Sequence, residues 1–230
     1  MENGIKPVWI FDGTPPELKK ETLKSRRQSK EKAEEKKQDA IDAGEMDEVL
    51  KFAGQTVRVT PKMTEDAKTL IKLLGLPIIE APSEAEAQAS VMAKNGVVYA
   101  VASEDMDCLC FGCPILLRGF STKDEPVTEI KLDIVLKEMN ITMKQFIDIC
   151  ILCGCDYSKN IEGIGPVKAY SFVKDYDDIE GVLKYVDENN LDTKKKSKYN
   201  YDLNTFLYKE SRVLFEQPTV IDPSTIEVSF

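Results

Sequence analysis

Six carboxylates sit where apolar stretches of this 230-residue chain give way to polar ones. Asp12 ends "PVWIFDG", and Asp105 and Asp107 follow "VVYAVAS". Glu84 and Glu86 come after "LPIIEAP", and Asp156 follows "FIDICILCGC". In an open parallel sheet, ligands collect beyond the carboxyl ends of the strands, and that topology brings most of these acids to one edge. Like charges crowded in a cleft raise one another's pKa values or bind cations. With no histidine in the chain, oxygen donors select hard cations, Mg2+ or Mn2+. Two such ions about 4 Å apart suit phosphodiester hydrolysis, one activating water and the other stabilising the leaving oxygen.

Each acid also has a local reading. Ser83 and Glu86 fit the S-x-x-E capping box, and Glu84 suits the start of a helix dipole. Asp12 before Gly13 suits a turn, and "EDMD" suits a solvated loop. Repetition decides between the readings. Three separate strand-to-loop junctions carry such acids, Asp156 adds a fourth place, and Glu104 is left out of the set.

The elements that must position these acids alternate. A short strand at Val8 to Phe11 precedes a long polar helix-forming stretch stopped by Gly44, then a second helix near Glu45 to Ala53. Helical spacing at Ala67, Leu70, Ile71 and Leu74 predicts a third helix ended by Gly75. "LPIIEAP" reads as a strand, and the helix after it runs from Ser83 to Gly96. Further strands are expected in "PILLRGF" and "VTEI", and helices at Leu132 to Met139 and in "TMKQFIDICILCG", where Thr142 and Gln145 are placed as a capping box. A glycine hairpin then leads to a helix with Pro166 in its first turn. The expected fold is α/β, a mainly parallel sheet with helices on its faces. The segment after that helix is mixed and is left unplaced.

Composition narrows the chemistry. The chain is 42% hydrophobic and 31% charged, as a globular protein is. No apolar run approaches the roughly 20 residues needed to span a membrane. Without histidine there is no His-ligated zinc, no Ser-His or Cys-His nucleophile and no imidazole acid–base catalysis. A net charge of −9 argues against loose nucleic-acid binding, but its distribution matters more. Lys19 to Lys37 holds nine Lys/Arg against four Glu, and "KKKSK" at Lys194 to Lys198 is a second basic run. Taken alone, the first run is a solvated helix face. Six cysteines with no secretory signal suggest reduced thiols in a cytosolic or nuclear setting. They form two clusters, Cys108, Cys110, Cys113 and Cys150, Cys153, Cys155, whose spacing is not that of a paired zinc module. Small buried packing groups are the expectation for them.

"ENGIKPVWIFDGTPPELK", "APSEAEAQ", "ASEDMDCLCFG" and "CGCDYSKNIEGIGPVKA" together resemble the flap endonucleases of the XPG-like 5′-nuclease family, in that family's order and at similar spacing. The resemblance runs along the whole chain and is weak between Asp177 and Asn204. It implies a PIN-like 5′-nuclease core with a projecting helical arch and a helix–hairpin–helix element that binds DNA. It implies metal ligands at Asp12, Glu84, Glu86, Asp105, Asp107 and Asp156 and two Mg2+ per active site, with Mn2+ as a substitute. Lys19 and Arg26, on the arch, are implied to contact the scissile phosphate, beside catalytic Asp12, Asp105 and Asp107. DNA contacts are implied at Glu84, Gly154, Asp156, Gly163, Gly165 and Lys168, and a K+ at the loop carbonyls of Asn160, Ile161 and Ile164. The implied partner is branched DNA with 5′ flaps, held by its backbone and shape.

Set against that family, the chain is expected to be a truncated form. The family's first segment, with its initial strand and a further metal-binding aspartate, is not matched, nor is the C-terminal tail that binds the sliding clamp. The expected layout is one nuclease core fragment, 1–230, comprising an N-terminal nuclease remainder (1–30), a basic helical arch (17–55), an internal nuclease region (56–176) that includes the helix–hairpin–helix element (142–176), and a C-terminal extension (177–230). The expected function is a structure-specific 5′-flap endonuclease and 5′–3′ exonuclease of DNA replication and repair, in the nucleus, with mitochondria as a second compartment. The rival expectation is a non-catalytic DNA-binding remnant. A Ca2+- or Mg2+-stabilised interaction domain is a third, and no EF-hand spacing supports it.

Overall fold

The computed structural model describes residues 4–120, 126–190 and 199–230. The basic run Lys194 to Lys198 lies outside them. The chain divides into two compact units. One takes in the stretch ending at Trp9, Lys19–Ile78 and Phe230, and the other Ile10–Leu18 and Ile79–Ser229. Among the described residues, no helix is long and apolar enough to cross a membrane.

The first unit is helical. α1 (Lys20–Ala43) is almost wholly exposed, with only Ala33 and Ala40 buried. These small residues, seven apart, share one face and let α2 (Met46–Thr56) pack closely. Gly44 ends α1 in the left-handed region at φ 75°, where a side chain is strained, and the Glu45 N–H turns back to the Ala40 carbonyl at 2.9 Å. α3 (Pro61–Leu73) begins at Thr60, whose hydroxyl accepts the Met63 N–H at 3.2 Å, with proline in the first turn.

The second unit carries the acids. β1 (Trp9–Phe11) pairs with β2 (Ile78–Glu80), and the boundary between the units runs through this pair. A separate three-stranded sheet has the order β3 (Val101–Ala102), β4 (Ile115–Arg118), β5 (Thr128–Lys131). β3 and β4 are parallel, Val101 opposite Leu116, whereas β4 and β5 are antiparallel. The fold is α/β, as expected, but among the described residues its strands form two small sheets, and the second is mixed, with one parallel and one antiparallel pair.

Helices complete the unit: α4 (Ala85–Lys94), α5 (Asp107–Cys110), α6 (Leu132–Met139), α7 (Met143–Cys153), α8 (Pro166–Tyr176), α9 (Ile179–Asn190) and α10 (Tyr208–Glu216). α7 is the central rod. Ile147, Ile151 and Leu152 on it are buried, and each such side chain contributes about 1.5–3 kcal/mol. The Thr142–Gln145 capping box forms in both directions: the Thr142 hydroxyl accepts the Gln145 N–H at 3.2 Å, and the Gln145 side chain accepts the Thr142 N–H at 3.0 Å. α9 and α10 occupy the stretch left unplaced from sequence.

Candidate active site

A backbone seam sets Asp12 against the start of α4. The Ala81 N–H donates to the Phe11 carbonyl at 2.9 Å, the Gly13 N–H to Ser83 at 2.6 Å and the Thr14 N–H to Pro82 at 3.2 Å. The approach is too close for a side chain at position 13. A Cβ there overlaps the Ala81 carbonyl oxygen and falls 2.7 Å from the Pro82 carbonyl carbon. Glycine is therefore required by crowding, not only by a turn.

Asp12 then reaches α4 directly. Its Oδ1 accepts the Ala85 N–H at 2.8 Å, across 73 residues. The capping box that was the local alternative for Ser83 and Glu86 does not form. The N-cap is Glu84, in extended backbone, and no side chain of its own segment caps the helix. Asp12 takes over one orphan donor of the first turn from a distant part of the chain.

Glu84 is buried at 6% exposure. Its carboxylate accepts the hydroxyl of Tyr157, itself buried and edge-on to Phe215 at 5.2 Å. Tyr157 stands beside Asp156 in the quoted "CGCDYSKN", yet nothing in the sequence marks it as Glu84's partner. Glu86 lies in the first turn of α4 and is half-buried. Burial raises its pKa, its own backbone N–H opposes that, and the charges of Asp12, Asp105 and Glu84 raise it further. These four acids thus share one electrostatic neighbourhood.

The loop before α5 is ordered by short polar links. The Asp105 N–H donates to the Ser103 hydroxyl at 3.1 Å, and Asp105 Oδ1 accepts the Asp107 N–H at 2.9 Å. Glu104 faces elsewhere: its carboxylate accepts the Gly119 N–H at 2.8 Å and pairs with Arg118. The Cys155 thiol is pushed up to about 12, by burial first and then by the charge of Asp107, with Asp156 adding a smaller push. Cys108 is likewise pushed up to about 12, by burial and then by Glu86. All six cysteines are free, and those of the first cluster are buried. The three thiols of the first cluster serve as buried packing groups.

The donors fit a hard divalent cation in kind, being carboxylates gathered at strand ends. They are not closed around one. Among the described residues, no group of three or more acidic or cysteine side chains stands tightly enough to hold a metal ion.

The glycine loop lies after α7. Gly154 takes φ 101° at the end of that helix, and Gly163 takes φ 85°. Gly165 is the N-cap of α8. Ile161 and Ile164 are buried, with the Ile164 N–H donating to the Ile161 carbonyl at 3.1 Å, while Asn160 is exposed. The Lys168 ammonium donates to the Gly163 carbonyl at 2.7 Å and lies over the Tyr199 ring at 5.3 Å. Lys19 and Arg26 belong to the helical unit, Lys19 as the N-cap of α1 and Arg26 in its second turn.

The XPG N-terminal domain model matches residues 1–33, and the XPG I-region model matches residues 75–156. Flap endonuclease 1-1 of Paramecium tetraurelia is 47% identical over 232 residues, taking in 100% of this chain and 60% of its own. The chain thus spans well under two thirds of that relative. Among solved structures, flap endonuclease-1 from Methanococcus jannaschii is similar at a TM-score of 0.65 and 41% identity, over 96% of this chain and 64% of that one. The catalytic core of Rad2 in complex with DNA substrate shares the fold at a TM-score of 0.73 and 21% identity, over 98% of this chain and 68% of that one. Two models of one family cover between them half of the residues, including five of the six acids in the I-region and Asp12 in the N-terminal match, and the chain belongs to the XPG-like 5′-nuclease family.

Proposed function

We propose that the protein is a structure-specific 5′-flap endonuclease with 5′–3′ exonuclease activity, acting on branched DNA in replication and repair. The observation that carries this reading is the common neighbourhood of Asp12, Glu84, Glu86 and Asp105. Carboxylates gathered to this degree, without histidine, suit phosphodiester hydrolysis with hard cations.

The reading assigns Asp12, Glu84, Glu86, Asp105, Asp107 and Asp156 to two Mg2+ ions, with Mn2+ as a substitute. When bound, the metal supplies an activated water and charge for the leaving oxygen. The chain's own residues orient the donors. Ala85 holds Asp12, Tyr157 holds Glu84, and the Asp107 N–H holds Asp105. Lys19 and Arg26 stabilise negative charge on the scissile phosphate. Backbone N–H groups at Gly163 and Gly165, with Lys168, hold the duplex by its phosphates and carry no sequence information. Carbonyls of Asn160, Ile161 and Ile164 are assigned to a K+ ion. The nucleus is the compartment that goes with this work, and mitochondria the second.

The test offers labelled 5′-flap, blunt-duplex and single-stranded DNA, with Mg2+ or a chelator. Cleavage near the flap base is expected only with Mg2+, and Asp105→Asn/Asp107→Asn is expected to fall to the chelator level. Equal cleavage by that double variant sinks the reading. Flap binding with no cleavage at all replaces it with that of a DNA-binding remnant.

A further inference from the structure

We propose that Gln88 is a positioning residue for the acidic site, a two-point clamp that makes the segment around Ile221 part of the site's support. The role for metal binding rests on the proposed function.

Gln88 is fully buried on α4, one turn after Glu84 and two residues after Glu86. Its Oε1 accepts the Ile221 N–H at 2.7 Å, and its Nε2 donates to the Ile221 carbonyl at 3.2 Å. One side chain thereby satisfies both backbone groups of a residue 133 positions away, as a paired strand does. Ile221 lies in neither helix nor strand, between α10 and a short turn that Asp222 caps by accepting the Ser224 N–H at 2.9 Å. An apolar residue at 88 strands two backbone groups in a partly buried place, so this glutamine is not simply filling space.

The clamp is one of three polar ties on α4. Asp12 holds the Ala85 N–H at 2.8 Å, and the buried Ser90 hydroxyl donates to the Cys108 carbonyl at 3.2 Å, next to Asp107. Ala85, Gln88 and Ser90 are spaced along the helix, so the ties fix both its depth and its rotation. Rotation matters because Glu86 projects from the first turn of this helix and Glu84 is its N-cap. Pro218 and Thr219, from the clamped segment, also wall a cavity of about 400 Å³ that Glu84 lines. Partners that orient metal ligands are typically worth about 10–100-fold in metal affinity.

The experiment compares Gln88→Met, Ile221→Pro and Asp148→Asn with the parent, all in the 230-residue chain. Gln88→Met removes both bonds, and Ile221→Pro removes one from the other side should the first variant fold poorly. Asp148→Asn is expected to lower Tm while leaving both clamp bonds in place. Two quantities are read: hydrogen exchange at the Ala85 N–H without metal, and Mn2+ affinity by calorimetry. Gln88→Met and Ile221→Pro are expected to speed exchange at Ala85 and to weaken Mn2+ binding about tenfold, and Asp148→Asn to do neither. Unchanged exchange in Gln88→Met, or changes that simply follow Tm in all three variants, overturns the proposal. A parent chain that binds no Mn2+ defeats the metal reading of the proposed function, and the exchange comparison still decides whether Gln88 positions α4.

Discussion

Two groups of acids in the same unit are handled in opposite ways. Asp148, fully buried on α7, meets the Arg212 guanidinium with two bonds, at 2.8 and 2.9 Å, and accepts the Ile179 N–H at 3.2 Å. Glu180 grips the same guanidinium at 3.0 Å. Here a matched cation sits among the acids and ties α7, α9 and α10 together. At the strand ends, Asp12 and Asp105 accept backbone N–H groups and Glu84 accepts a phenol hydroxyl. The charges that shift Glu86 are three further carboxylates. Where acids serve the fold, the chain supplies the cation. At the candidate site, backbone N–H groups orient Asp12 and Asp105, and the carboxylates stand near enough to one another to raise Glu86.

The comparison breaks most visibly at Arg212. Arg212→Met leaves Asp148 buried with its countercharge gone, and the expected loss is about 3–5 kcal/mol, read by thermal or urea unfolding. A loss under 1 kcal/mol makes the two acid groups equivalent and removes the contrast. The opposite behaviour is expected at the strand ends. Mn2+ raises the Tm of the parent, by the equivalent of about 2.7 kcal/mol at a hundredfold excess over Kd, and Asp105→Asn/Asp107→Asn abolishes the rise. An equal rise in the double variant places the ion elsewhere. Tyr157→Phe takes the hydroxyl from buried Glu84 and is expected to cost about 1–3 kcal/mol in metal-free unfolding. A neutral result there means that Glu84 is oriented by other groups.

What the sequence made legible follows from the range of each interaction. α6 and α7 were readable because their signals are local: Leu132 to Met139 is bounded by a strand and by Asn140 in the left-handed region, and Thr142 and Gln145 cap α7 three residues apart. α8 was marked by Pro166 in its first turn. α9 was missed although Ile179, Val182, Leu183 and Val186 recur at helical spacing, all of them buried. That pattern was present and could have placed it. The Ser83–Glu86 capping box, the local alternative for those residues, does not form, because the Asp12 carboxylate takes the Ala85 N–H from a distant part of the chain. Nothing local marks Tyr157 for Glu84, Gln88 for Ile221 or Arg212 for Asp148. Those pairs are 73, 133 and 64 residues apart, and only the folded chain brings them together. The types of residue at the site were therefore readable, and the groups that orient them were not.

The smallest expected effect tests the structural side of the contrast through pH. Hydrogen bonding to Arg212 is the leading cause that holds the Glu180 carboxyl below its ordinary value of 4.5. A depressed carboxylate binds protons less readily when folded, so its contribution is fully present above the unfolded value and is lost as pH falls through the folded one. Glu180 is mostly open to solvent, which screens the pair, and Asp148 keeps its own two bonds to Arg212. Glu180→Gln is therefore expected to cost only about 0.2–1 kcal/mol at pH 7. The gap to the parent should close as pH falls below 4.5, in unfolding curves taken in steps from pH 7 to pH 3. A gap that persists at pH 3 means that Glu180 contributes through packing rather than charge, and that Asp148 alone neutralises Arg212.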